Sequence, residues 1–263
     1  LLSMIYHAKT GHTGAALSSA DIMTALFFKI LTLDPANPSW EGRDYFILSK
    51  GHCVEGYLAV LAARGFFPTS ELETFSSFKS RLIGHPNNKI PGIEMNTGAL
   101  GHGLSISVGI AIGLKKDRKP NRVFTLMGDG ELAEGSVWEA AMAASHYKLD
   151  NLVGIIDRNH LQISGSTEDV MGLEPLAKRW ESFGWEVKEI DGNAMEEVVQ
   201  ALSSVPLKPS KPTMIIAHTI KGKGVREMEN IAAWHHGVPS KELYEQAIAA
   251  FARLEEELRN AKL

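Results

Sequence analysis

Apolar residues along the chain gather in short runs separated by polar, glycine-rich turns. The runs at 45–48, 123–127, 152–157, 185–190 and 213–217 are brief and rich in β-branched, leucine or aromatic side chains, the pattern of buried strands. Segments of helical period lie between them. Residues 54–63 form one, and Val137, Ala140, Ala141, Ala144 and Tyr147 fall on one stripe of another. Ser18-x-x-Asp21 before the apolar stretch 22–33 predicts a capped helix start, and Asp34-Pro35 and Asn37-Pro38 predict its end. From Ser240 onward, Leu243, Ala247, Phe251, Leu254 and Leu258 share the apolar face of a terminal amphipathic helix. Residues 205–212 are a proline-punctuated loop. Strands alternating with helices predict an α/β fold, with a central, mostly parallel sheet covered by helices on both faces. Ligands in such folds bind outside the carboxyl ends of the strands. The prediction is therefore of one domain over 1–263, with its chemistry in the turns.

Composition narrows the class of partner. The 263 residues carry a net charge of −4, which leaves no basic footprint for nucleic acid or an anionic membrane. No apolar run is long enough to span a bilayer, and the glycine-broken stretch 104–114 is too short. The lone Cys53 excludes an intrachain disulfide framework and a multi-cysteine zinc site. No secretory signal pattern is present, so a cytoplasmic location is the expectation. The 24 glycines and 10 histidines are grouped rather than scattered. Gly11-His12, Gly51-His52, Gly84-His85, Gly101-His102 and His236-Gly237 each set an imidazole beside a residue that permits close backbone approach. Any one pair is most simply a turn; five of them point to a shared site.

The strongest chemical signal is Gly128-Asp129-Gly130 directly after one apolar strand, with Asn159 just after the next. One βαβ unit thus places a carboxylate and an amide at neighbouring strand ends. These are hard oxygen ligands suited to Mg²⁺, which completes its shell with phosphate oxygens, a carbonyl and water. Gly130 offers a backbone N–H near a helix start, where a diphosphate is favoured. The simpler competing reading of Asp129 is a helix N-cap, a position that Asp favours.

With that spacing, the chain resembles thiamine diphosphate enzymes, and its other motifs resemble the transketolase family. Gly11-His12-Thr13-Gly14 with Leu17-Ser18 and Ala20-Asp21 is similar to the family's first glycine–histidine motif. The run from Arg43 to His52, ending Ser49-Lys50-Gly51-His52, is similar to the second, and Gly84-His85-Pro86 to the third. The segment from Thr97 to Ser105 resembles the cofactor loop. Ile220-Lys221-Gly222-Lys223-Gly224 and Trp234-His235-His236-Gly237 resemble late loops of the same module. These matches run in family order through nearly the whole chain.

The resemblance implies thiamine diphosphate as cofactor and Mg²⁺ as its metal, with Ca²⁺ or Mn²⁺ as substitutes. It implies Asp129, Asn159 and the main-chain carbonyl of Leu161 as metal ligands. Gly98, Ala99, Leu100, Gly130 and Asn159 would bind the cofactor, with His52, Lys221 and His236 beside it and Lys50 adding charge. For the lysines a solvated surface role is the competing reading. His12, His85 and His236 would surround the reacting hydroxyls of a sugar. His235 is expected to be structural, as are His7, His146, His160 and His218. His102 departs from the family's usual glutamine, Thr13 from a usual proline, and Cys53 from a small residue. Glu134 would either join a network between paired sites or complement a helix dipole. Because family chains are more than twice this length, the resemblance implies the N-terminal, diphosphate-binding subunit of a split transketolase. The pyrimidine-binding and C-terminal domains would lie on a separately encoded C-terminal subunit, in an α2β2 assembly. The implied reaction moves a two-carbon glycolaldehyde unit from a ketose phosphate to an aldose phosphate, the sugar phosphates being its substrates. The alternatives are a transketolase for sulfonated or branched sugars, or a subunit of a 2-oxo acid dehydrogenase E1 alpha or 1-deoxyxylulose-phosphate synthase type.

Overall fold

In a computed structural model, which describes residues 1–260, seven strands form in chain order. These are β1 (Tyr45–Leu48), β2 (Val123–Gly128), β3 (Leu152–Arg158), β4 (Leu161–Gln162), β5 (Gly165–Ser166), β6 (Glu186–Asp191) and β7 (Thr213–His218). Five of them make one parallel sheet in the order β1-β2-β3-β7-β6, while β4 and β5 pair as a small antiparallel hairpin. The first helices are α1 (Leu2–Ala8), α2 (Thr13–Ser18), α3 (Ala20–Ala25), α4 (Val54–Arg64) and α5 (Gly103–Lys116). They are followed by α6 (Gly135–His146), α7 (Thr167–Met171), α8 (Leu176–Ser182), α9 (Met195–Ser203) and α10 (Lys241–Asn260).

The period-two rule of a strand divides the core in two. Phe124 and Leu126 of β2, Val153 and Ile155 of β3, and Ile215 and Ala217 of β7 pack with α3, α4 and α9 on one face. The intervening Val123, Met127, Leu152, Ile156, Met214 and Ile216 pack with α5, α6 and α8 on the other. Burial on both faces explains why β2, β3 and β7 read as continuous apolar runs rather than alternating ones. The expected parallel sheet with two helical layers is the one observed. Among the described residues, no helix is long and apolar enough to cross a membrane.

Two local expectations need correction. Ser18 does not cap a helix: it ends α2, and its hydroxyl donates to Asp157 Oδ2 at 2.6 Å. The helix expected over 22–33 begins at Ala20, widens to a π turn over Leu26–Ile30, and is extended at Leu31. The Asp44–Arg122 pair ends it before the prolines, since Asp44 accepts the Thr32 N–H at 3.0 Å and Arg122 donates to the Ile30 carbonyl at 2.8 Å. The stretch 104–114 lies within α5, whose helical pattern is masked in sequence by Gly103, Gly109 and Gly113. In α10 only the first half of the apolar stripe is covered. Leu243, Ala247 and Phe251 pack with Leu2, Leu17, Val225 and Met228, while Leu258 is 55% exposed.

Leu126→Ala is expected to cost about 2–5 kcal/mol through the cavity left between β2 and its neighbours. Leu258→Ala should change stability by less than about 0.5 kcal/mol. Urea denaturation of the two variants, followed by circular dichroism, checks the contrast.

Candidate functional site

Because the sheet is parallel, β1, β2, β3 and β7 all run out at the same edge. Pairing of Leu48 with Leu126, Gly128 with Asp157 and Arg158 with His218 brings their exits level. There Asp157 collects four donors: Lys50 Nζ after β1, Thr219 Oγ1 after β7, Ser18 Oγ at 2.6 Å, and Asn159 Nδ2 at 3.1 Å. Lys50 and Asp157 are both fully buried. Burial alone would neutralise each, but each charge holds the other ionised, raising the Lys50 pKa and lowering that of Asp157. A buried pair survives only when its remaining hydrogen-bonding capacity is also met, as it is here.

This network orients Asn159. Its Nδ2 is turned to Asp157, so Oδ1 faces the opposite way, where it accepts the Leu161 N–H at 3.1 Å. Asp129 leaves β2 beside it. Its Oδ1 accepts the Gly130 N–H at 2.8 Å, and its Oδ2 accepts the His160 N–H at 2.6 Å and an Arg158 N–H at 3.1 Å. The N-cap role of Asp129 and a ligand role are therefore compatible, and the Gly130 N–H is already engaged by that cap. Burial pushes the Asp129 pKa up, as does the Asp157 charge, while Arg158 opposes them. The Leu161 carbonyl accepts Lys221 Nζ at 3.0 Å, so a cation already rests on that oxygen. Carboxylate, amide and carbonyl oxygens in this arrangement are a donor set for a hard cation. Among the described residues, no cluster of three or more His, Cys, Asp or Glu side chains is placed to hold a metal. A cation at this edge would thus depend on a single carboxylate with neutral oxygens around it.

Above this floor stands a wall of imidazoles. The His12 ring centroid lies 5.2 Å from His52, 6.4 Å from His85, 5.6 Å from His235 and 4.7 Å from His236. Two loops that carry them are locked together: Thr13 Oγ1 donates to the Gly237 carbonyl at 2.6 Å, and the Gly237 N–H to the Gly11 carbonyl at 3.1 Å. A side-chain carbon on Gly14 would meet the Trp234 carbonyl at 2.7 Å, so glycine is required for this contact. Burial first, and neighbouring positive groups second, push His12 down to about 4, His235 to about 3 and His52 to about 2. These rings are neutral at pH 7, each with one donor and one acceptor nitrogen.

Floor and wall enclose a cavity of about 630 Å³. Its lining includes His12, His52, Gly98, Leu100, Asp129, Gly130, Asn159, Leu161 and Lys221. His85 and His236 flank His12; His236 is exposed and its Nε2 lies 3.4 Å from Thr10 Oγ1. Ala99 is exposed beside the loop rather than facing inward. His235, expected to be structural, lines the cavity and accepts from Lys221 Nζ at 3.2 Å. Lys50 and Lys221 are buried, not solvated. His102 is exposed and its Nδ1 donates to the Leu100 carbonyl at 3.1 Å. Glu134 is at the rim. Sequence reasoning passed over Asp157, Arg158 and Glu131. Glu131 accepts from Ser49 Oγ, the Gly101 N–H at 2.8 Å and the Gly128 N–H at 3.0 Å, tying the glycine loop to two strand ends. The available signal was their position beside strand ends already singled out.

Residues 1–251 match the family of the transketolase thiamine diphosphate binding domain. The chain is 52% identical to one subunit of the apulose-4-phosphate transketolase of Phocaeicola vulgatus, over 94% of this chain and 88% of that one. It is 41% identical to the 6-deoxy-6-sulfo-D-fructose transketolase subunit of a Clostridium species, over 91% of this chain and 87% of that protein. Among solved structures, transketolase from Leishmania mexicana superposes with a TM-score of 0.89 at 28% identity, covering 95% of this chain and 39% of that one. Transketolase from Campylobacter jejuni superposes at 0.86 with 34% identity, covering 93% and 40%. The chain thus spans about two fifths of the length of these solved relatives.

Asp157→Asn is expected to destabilise by about 3–5 kcal/mol by leaving Lys50 buried and unpaired, with part recovered in the double variant Lys50→Met/Asp157→Leu. Urea unfolding of the single and double variants measures this. For His52, the folded pKa of about 2 lies below that of the unfolded chain. Between those values the unfolded state binds more protons, so stability falls as pH drops below about 6.5. Thermal unfolding from pH 8 to pH 4 should show that slope, and His52→Gln should reduce it.

Proposed function

This chain belongs to the transketolase family, and from that premise we propose that it is the diphosphate-binding subunit of a split, thiamine diphosphate-dependent transketolase. The observation that carries the reading is one cavity lined both by Asp129, Asn159 and Leu161 and by His12, His52 and His235. Relatives named as single subunits of a transketolase support a separately encoded partner. We assign to that partner the pyrimidine-binding and C-terminal domains, residues 1–263 forming a single diphosphate-binding unit, in an α2β2 assembly about a twofold axis. Phosphorylated sugars are highly charged and do not cross a bilayer unaided, so the proposed site of action is the cytoplasm.

Mg²⁺ would be held by Asp129, Asn159 and the Leu161 carbonyl, with Ca²⁺ or Mn²⁺ able to replace it. That donor set fits a hard cation, and the Lys221 ammonium on Leu161 is its present electrostatic counterpart. His52, His235, Lys50 and Lys221 would face the cofactor's diphosphate, with backbone from Gly98, Ala99, Leu100 and Gly130 beside it. When bound, thiamine diphosphate supplies the nucleophilic carbon and the electron sink for breaking and remaking a carbon–carbon bond. The protein orients the sugar and moves its protons. His12 is neutral at pH 7 and can take the proton of the hydroxyl next to the scissile bond on a ring nitrogen. His85 and His236 flank it and would hold the neighbouring hydroxyls. The proton taken from the donor returns to the acceptor's new hydroxyl, so the cycle is balanced.

The reaction is transfer of a two-carbon glycolaldehyde unit from a ketose phosphate to an aldose phosphate. Similarity to two proteins named for apulose-4-phosphate and to one named for 6-deoxy-6-sulfo-D-fructose supports those two sugars as the first donors to try. The test is purification with the separately encoded partner, then assay against a panel of ketose donors with Mg²⁺ and cofactor. Transfer by the mixture and none by the chain alone is expected. Full activity without the partner, or pyruvate decarboxylation in place of transfer, would overturn the proposal. Asp129→Ala should abolish Mg²⁺-dependent cofactor binding in calorimetric titration; retained binding would refute the metal assignment.

A further inference from the structure

Glu55 is a charged residue type in a place that α4 packing does not explain. It lies in the first turn of α4, 0% exposed, among the buried Val54, Tyr57 and Leu58. Its Oε1 accepts the backbone N–H of His12 at 2.9 Å. Its Oε2 is buried with no hydrogen-bond partner among the described residues. A half-matched buried carboxyl is costly and calls for an explanation.

The amide it holds belongs to the residue at the start of α2, where the backbone is neither helical nor extended (φ −101°, ψ 68°). At such a junction the backbone direction decides where the side chain points, and here that side chain is the centre of the histidine cluster. The loop presses directly on the carboxyl. A side-chain carbon on Gly11 would sit 2.8 Å from Glu55 Oε1 and 2.6 Å from Ile5 Cγ1. On its other side the same loop is fastened to Gly237 through Thr13 and Gly11. Glu55 therefore supplies the clamp from the α4 side.

We infer that Glu55 is a positioning residue: through the His12 amide it sets the imidazole against the donor sugar, governing sugar binding rather than cofactor binding. The sugar-facing role of His12 rests on the function proposed above; the Glu55–His12 contact does not. Burial pushes the carboxyl up to about 7, and glutamine is the uncharged isostere that keeps the Oε1 acceptor. Methionine keeps the volume without an acceptor, and aspartate keeps the charge but falls short of the amide.

The test compares Glu55→Gln, Glu55→Met and Glu55→Asp by amide hydrogen exchange on this chain and by steady-state kinetics of the chain assembled with its partner. Glu55→Gln should keep the His12 amide protected and the donor KM within about twofold of wild type. Glu55→Met and Glu55→Asp should expose that amide and raise the donor KM by about tenfold, the scale of one lost hydrogen bond. In both, kcat should fall as well, because the displaced imidazole is also the proposed proton acceptor, while the thiamine diphosphate Kd should stay within about twofold. If the methionine variant does not fold, the aspartate variant decides. A protected His12 amide with wild-type KM in any folded methionine or aspartate variant overturns the inference, as does an equal loss of cofactor affinity. If wild-type assemblies transfer no two-carbon unit, the proposed activity fails while amide exchange still decides the contact.

Discussion

The Asp157 carboxylate is the tie at the carboxyl edge of the sheet. It joins the segment after β1 through Lys50, the segment after β7 through Thr219, the end of α2 through Ser18, and the Asn159 amide on its own strand exit. The parallel sheet makes this possible, because only parallel strands deliver their exits to one edge. An apolar residue at 157 would suit the core equally well but would leave Lys50 unpaired and the Asn159 amide free to turn. The full set of donors makes the buried charge tolerable, and the charge gives the floor of the cavity a single arrangement.

Floor and wall of the cavity follow different electrostatic rules. The floor keeps its charges: Lys50 and Asp157 hold each other ionised, and Arg158 reaches from Asp129 to Glu168 and Glu174 at 2.9 Å each. The wall gives its charges up. His12, His52 and His235 share a confined space with Lys221 and with one another, and none can protonate without repelling the rest. Kept neutral, each ring offers the cavity one donor and one acceptor nitrogen. The same burial therefore stabilises ions where partners were built in and suppresses them where they were not. Glu131 does the mechanical counterpart of this work, anchoring the glycine loop to β1 and β2 by way of Ser49 and two amides.

Much of this was legible from local pattern. Short apolar runs gave the strands because residues buried on both faces of a parallel sheet must be apolar throughout. Gly128-Asp129-Gly130 and Asn159 were readable as a paired carboxylate and amide at neighbouring strand exits, because short motifs mark those exits. α5 was not readable as a helix, since its glycines weaken a periodicity that packing against β2 restores. Ser18 looked like a cap because serine before an acidic residue usually is one; its hydroxyl was instead claimed by a carboxylate 139 residues away. His235 was ranked below His236 from sequence and set aside as structural, yet it lines the cavity, because adjacent residues differ in which way the backbone turns them. The lysines were ambiguous for a related reason: burial of a lysine depends on a partner that sequence does not locate.

The sequence by itself determined the class of fold, the family, and the residue types gathered at the strand ends. Those follow from periodicity and short motifs, whose meaning is set within a few residues. Tertiary structure alone decided that Lys50 is a buried ion rather than a solvated one, that Asn159 turns its oxygen away from Asp157, and that Glu55 holds the His12 amide. Each of these depends on two groups far apart in the chain meeting in a water-poor interior. There a hydrogen bond or a charge is worth most, and its value is set by the partner, not by the residue that carries it.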